Sequence, residues 1–253
     1  ILRTLRNATH QHPASGNIVV VKIDEESLRE IDNWPWPRAK QAEIIDQLDR
    51  LGAEKIVFDV LYTGPSGKVD DQALADAIKR SGKVTLAAQT RIGEREGKEN
   101  QGLPMPAFAN HAAVASIAWQ YNWQGEVWKL NLATIADGRP LPSLSSAIAG
   151  KQGHDGQQYR VDYSLDVDSV PTISAADLLN GKVEPALVKG KTIVVGTTAF
   201  QLGDLYNIPG RNKRGGVFIH VLGAETLLAG SSVDFGWWPA FMVALAACLL
   251  CLV

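Results

Sequence analysis

Apolar positions along this chain follow two patterns: short β-branched runs closed by an acid or a glycine, and longer stretches where they recur every three or four residues. Ile18-Val19-Val20-Val21-Lys22-Ile23 is a continuous run ending at Asp24, the pattern of a strand covered on both faces. A turn rich in Trp and Pro follows. Ile44, Ile45, Leu48 and Leu51 then lie at helical spacing within residues 38–51, with Gly52 where a left-handed cap would end the helix. Lys55-Ile56-Val57-Phe58-Asp59-Val60 reads as the second strand. Asp70 and Asp71 open the next helix, where carboxylates complement the dipole, Leu74, Ala77 and Ile78 form its buried stripe, and Gly82 ends it. Residues 84–89 form a third strand. This alternation with short connections predicts an α/β fold: a Rossmann-like, doubly wound, mostly parallel sheet flanked by helices.

The middle of the chain is less regular. Residues 114–119 and 126–135 read as strands, the second running into an Asp137-Gly138 turn; residues 142–149 read as a short helix and 159–163 as a further strand. Residues 91–101 are polar and contain glycine, which predicts an exposed loop. Order returns at Ser174-Ala175-Ala176-Asp177-Leu178-Leu179, where Ser174 is expected to cap a helix with Asp177 completing a capping box. Residues 190–198 hold a buried strand ending in a glycine turn, residues 217–219 a last short strand, and residues 220–228 a last helix.

The chain closes on FGWWPAFMVALAACLLCLV, residues 235–253, without one charge. A run of this length reaches the roughly 18 residues that a membrane span requires. Trp237 and Trp238 at its start favour the headgroup layer, and Pro239 suits a first helical turn. The reading is a transmembrane helix cut short; the alternative is a buried helix of a soluble body. Ile1 is not a start methionine and no secretory signal follows it, so the sequence reads as a piece of a longer chain. The expected organisation is a linker over 1–16, a folded domain over 17–230, and the span over 235–253.

Composition narrows the function. The 253 residues are 45% hydrophobic and 21% charged, enough to bury one large domain or two small ones, and the net charge of -2 gives no broad basic surface. No nucleic-acid partner is expected, because phosphate binding needs clustered Lys and Arg, and the cluster at residues 211–214 reads as a solvated loop. Both cysteines, Cys248 and Cys251, lie in the apolar run, which excludes a disulfide framework or thiolate zinc site in the folded domain and fits an oxidising compartment.

In an open α/β sheet, ligands bind beyond the carboxyl ends of the strands where the strand order reverses. Asp24, Asp59 and Gly196-Thr197-Thr198 lie at such ends, Arg38 enters the first long helix, and Asp204 and His220 follow the later strands. The candidate ligand-binding set is therefore Asp24, Arg38, Asp59, Thr197, Asp204 and His220. Two aspartates with an arginine suit a zwitterion or a cation, and two aspartates with a histidine suit a divalent metal. Alternatively, Asp24 and Asp59 cap helices and pair with Arg38 to fasten loops. Trp34 and Trp36 read either as an aromatic wall or as rigid packing over the sheet. No phosphate-binding glycine loop and no nucleophile elbow is present, so no catalytic residue, metal site or cofactor is assigned.

Three blocks in order, Val21-Lys22-Ile23-Asp24-Glu25-Glu26-Ser27-Leu28, Trp34-Pro35-Trp36-Pro37-Arg38 and Gly52-Ala53-Glu54-Lys55-Ile56-Val57-Phe58-Asp59-Val60, resemble the CHASE domain of type 2. Asp70-Asp71-Gln72-Ala73-Leu74, residues 174–179, residues 190–198 and Gly216-Val217-Phe218-Ile219-His220 fit the same pattern, so the resemblance spans nearly all of 17–230. It departs in the middle, where Gly125-Glu126-Val127-Trp128-Lys129 stands in place of the family's Asp-Gly turn and arginine-containing strand. The resemblance implies a sensory input domain of a bacterial receptor, held at the inner membrane with its folded body in the periplasm and working as a homodimer. It would answer a small-molecule or envelope-protein ligand and control an intracellular cyclase or kinase that these residues do not contain. The competing readings are a membrane-tethered enzyme using strand-end aspartates with a divalent metal, and a structural module that only dimerises receptors.

Overall fold

The computed structural model describes residues 11–31, 34–90, 102–136, 138–209, 213–230 and 238–250. Six parallel strands make the main sheet: β1 (Ile18–Ile23), β2 (Lys55–Leu61), β3 (Val84–Ala88), β4 (Ala113–Ser116), β5 (Thr172–Ser174) and β6 (Thr192–Thr197), in the spatial order β5-β1-β6-β2-β3-β4. The mixed α/β, parallel architecture is thus as the alternating pattern predicts. One feature of the winding differs: β1 and β2 do not pair, because β6 lies between them. Its Ile193, Val194 and Val195 are buried completely, so this strand fits only where both faces are covered.

Besides the single turn Pro106–Ala109, the α-helices among the described residues are α1 (Glu25–Glu30), α2 (Arg38–Arg50), α3 (Lys68–Ser81), α4 (Leu144–Ala149), α5 (Ala175–Leu179), α6 (Gly216–Leu228) and α7 (Trp238–Leu250). All but α7 divide between two cores. Val19, Val21, Ile23, Ile56, Phe58, Ile193 and Val195 face a core closed by Ile44, Ile45 and Leu48 of α2, Leu74 and Ile78 of α3, and Leu178 of α5. The alternate residues Ile18, Val20, Val57 and Val194 face a second core closed by Leu144 and Ile148 of α4 and by most of α6. The period-two alternation of a strand divides the side chains in this way. Gly52 and Gly82 take the left-handed conformation expected of them, at φ of 82° and 64°.

Residues 217–219, expected as a strand, are the first turn of α6 instead. A short apolar run does not distinguish a strand from a buried helix by periodicity, and α6 is buried on every side from Gly216 to Leu227, as an apolar helix without a polar face must be. Two glycines allow this. A Cβ at Gly196 would lie 2.7 Å from Val217, and one at Gly223 would lie 2.5 Å from Leu130 Cδ1 and 2.8 Å from the Tyr159 hydroxyl. The strand expected over 126–135 breaks at Leu132 into Lys129–Asn131, paired with Gln158–Arg160, and Ala133–Ala136, paired with Arg139–Pro142. The loop expected at 91–101 and residue Asp137 lie outside the described residues. So do residues 235–237 and 251–253 of the apolar run; α7 covers 13 of its positions, and among the described residues no helix is long and apolar enough to cross a membrane.

Candidate ligand-binding site

A cavity of about 810 Å³ opens where β2, β6, β3 and β4 end, and its lining includes Arg38, Asp59, Thr197, Asp204 and His220. Five of the six candidate residues therefore meet at one place. Asp24 is elsewhere. Its carboxylate caps α1: Oδ1 accepts from the Ser27 N–H at 3.0 Å and from the hydroxyls of Ser27 at 2.7 Å and Ser174 at 3.0 Å, and Oδ2 lies 3.3 Å from Lys22 Nζ. Burial pushes this carboxyl upward, but the Ser27 and Ser174 hydrogen bonds and the Lys22 charge outweigh that and hold it below the ordinary carboxylate value. Ser174 consequently does not cap α5 as expected; Ser27 Oγ reaches across to accept from the Ala176 N–H at 3.2 Å, and Asp177 lies 3.5 Å from Lys182.

Arg38 fastens the cavity wall, with Asp71 as its partner and neither Asp24 nor Asp59. Its guanidinium donates to Asp71 Oδ1 at 2.5 Å and to the Gly64 carbonyl, and lies 5.0 Å and 5.6 Å from the ring centres of Phe108 and Tyr62. Asp71 also accepts from the Ser66 and Gly67 N–H groups, so the loop from β2 to α3 is pinned from both ends. Tyr62 donates to Gln41, which donates in turn to the Trp36 carbonyl.

Asp59 is different. It lies in an irregularity of the β2 to β3 pairing between Phe58 and Leu61, and bulges of this kind re-aim side chains beside functional sites. Among the described residues nothing donates a hydrogen bond to its carboxylate. Burial, and then the negative charge of Asp204, push it up to about 7. Asp204 accepts from the Thr197 hydroxyl at 2.8 Å and lies against the first turn of α6, where a Cβ at Gly216 would come within 3.1 Å of its Oδ1. Burial holds His220 neutral, down to about 3, and its Nδ1 has no partner among the described residues.

The rest of the wall is aromatic. Trp119 meets Tyr206 edge-on at 4.9 Å and His220 at 5.0 Å, and Tyr121 stacks on Tyr206 at 6.5 Å. On the other side Trp34 meets Trp36 edge-on at 5.4 Å. Trp36 is buried in the first core, as the packing reading expects, and both residues also line the cavity. Sequence reasoning did not place Trp119, Tyr121 and Tyr206 here; the available signal was two aromatics directly after a strand end. Among the described residues no group of three His, Cys, Asp or Glu could hold a metal ion, so Asp59, Asp204 and His220 do not form the metal set considered from sequence. Arg214 of the basic cluster pairs with Asp168 at 2.9 Å.

No curated protein and no solved structure matches this chain. The family model of the CHASE2 domain matches residues 1–253. The chain belongs to the CHASE2 domain family, a family of sensory extracellular domains.

Proposed function

We propose that this is the extracytoplasmic signal-input domain of a bacterial membrane receptor, and that its stimulus is a ligand bound in the cavity at the carboxyl edge of the sheet. The observation that carries this reading is the course of α6. Its N-terminal end lines the cavity through Gly216 and His220. At its far end, Glu225 accepts from the Ser15 N–H at 3.1 Å and the Ser15 hydroxyl at 2.9 Å, just before β1 begins. A 13-residue helix of about 20 Å thus joins the ligand wall to the place where the chain enters and leaves the domain. In the sequence, residues 229–237 alone separate it from α7, and residues 229–234 from the apolar run.

A helix packed on all sides moves as a unit, so a ligand that prefers one of two positions of the α6 N-terminus changes the position of its C-terminus as well. The apolar run over 235–253 carries that change into the inner membrane, and the output is a cyclase or kinase on the other side. Carbonate extraction and protease treatment of spheroplasts test the placement. The chain should stay in the membrane pellet while protease added outside degrades the folded domain. A chain found in the soluble fraction, or protected in intact spheroplasts, overturns it.

A further inference from the structure

Resting on the reading of this cavity as the ligand site, we propose that it takes a small organic cation: a protonated amine whose N–H groups meet Asp59 and Asp204 and whose frame lies among the aromatic rings. Two carboxylates line the cavity, and among the described lining residues the only permanently cationic side chain is Arg38. Arg38 is already held by Asp71, the Gly64 carbonyl and two ring faces. An anion would therefore meet two like charges and no free partner, and a zwitterion would leave its carboxylate unanswered. An ammonium group answers the Asp59 carboxylate, to which nothing donates among the described residues, and adds a second partner to Asp204 beside the Thr197 hydroxyl, in charge-assisted hydrogen bonds.

Three further observations agree. Trp34, Trp119, Tyr121 and Tyr206 line the cavity with aromatic rings, the side chains that attract organic cations. His220 is 2% exposed and lines the same wall with Nδ1 unpartnered among the described residues, a polar atom left for the ligand's frame. The cavity, at about 810 Å³, has the size of sites for drug-sized molecules and greatly exceeds a bare ion, for which no three-ligand group is present among the described residues.

The test is a thermal-shift series on the whole chain at millimolar concentration, using phenethylamine, its N,N,N-trimethyl analogue, 1,4-diaminobutane, 2-phenylethanol, 3-phenylpropionate and MgCl2. Phenethylamine and 1,4-diaminobutane should stabilise more than the matched alcohol and acid, the trimethyl analogue, which has no N–H to donate, should stabilise less than phenethylamine, and Asp59→Asn should weaken phenethylamine binding at least tenfold by titration calorimetry. Affinity should fall between pH 8.5 and pH 6 as Asp59 takes up a proton. The other titratable groups facing the cavity are Asp204 and Tyr206 after β6, Tyr62 after β2, Tyr121 after β4, Arg38 on α2 and His220 on α6. Of these, Tyr62 and Tyr206 are pushed upward by burial, and His220 is held down at about 3. A larger shift with 3-phenylpropionate, the whole shift from MgCl2 alone, or unchanged amine binding in Asp59→Asn overturns the cation while leaving the cavity as a ligand site. No shift from any compound removes the ligand-site reading itself.

Discussion

Asp24 and Asp59 lie toward the same edge of the sheet on strands that β6 separates, each after an apolar run, and they are in opposite physical states. Asp24 is 8% exposed and fully answered, by three hydrogen bonds on one oxygen and a lysine near the other. Asp59 has its carboxylate on the cavity, a second carboxylate nearby and no donor among the described residues. A buried acid with partners contributes to holding the fold, whereas one without partners costs stability. The first is a fastening and the second is the acid on which the proposed ligand site rests, because groups perturbed in a cleft cluster where function lies.

The largest expected effect is at the fastening. Asp24→Ala removes the α1 cap and takes the charged acceptor from the hydroxyls of Ser27 and Ser174, which keep each other and the Lys22 carbonyl, for a loss of about 2–4 kcal/mol, readable as a fall in the urea midpoint at pH 7. Because the Asp24 carboxyl is held below its unfolded value, its contribution is present above about pH 4 and is lost as the pH falls through the lowered value. A variant as stable as the parent at pH 7 would erase the distinction between the two aspartates.

The same chemistry at Asp59 should act with the opposite sign. Its carboxyl, pushed up to about 7, keeps in the folded chain a proton that the unfolded chain releases. The associated stability is fully present below about pH 4 and is lost as the pH rises through about 7. Asp59→Asn should therefore stabilise the ligand-free chain by about 1–3 kcal/mol at pH 8 and make little difference at pH 4.5. Urea titrations of variant and parent across that range check the sign, and a variant that loses stability at pH 8 shows that Asp59 fastens its corner too.

How much of this is legible in the sequence depends on the range over which each contact acts. Strands β1, β2, β3 and β6 and helices α2 and α3 follow from local periodicity, and the cluster of Arg38, Asp59, Thr197, Asp204 and His220 follows from a rule about sheet edges. Asp24-Glu25-Glu26-Ser27 has the spacing of a helix cap, whereas Asp59 is followed by Val60-Leu61-Tyr62 and no helix begins there. That difference was available locally. The bulge at Asp59, the pairing of Arg38 with Asp71 and the capping of α5 by Ser27 in place of Ser174 were not, because each depends on segments distant in sequence packing together. Residues 217–219 misled for a related reason: their β-branched character is local, and the burial that makes them helical is not.

The smallest effect sharpens the comparison most, because it asks what holds the Asp24 charge. Lys22 Nζ lies 3.3 Å from Asp24 Oδ2, with its own side chain 31% exposed, and a pair open to water contributes less than about 1 kcal/mol. If the hydrogen bonds from Ser27 and Ser174 answer the carboxylate, Lys22→Met should lower the urea midpoint only slightly, and by less still in 0.5 M salt, which screens the parent's pair. If the lysine answers it, the loss should approach that of Asp24→Ala. Asp24 would then be an ion-paired acid beside its own cation, and what separates it from Asp59 would be a single missing positive charge, the one that the proposed amine supplies.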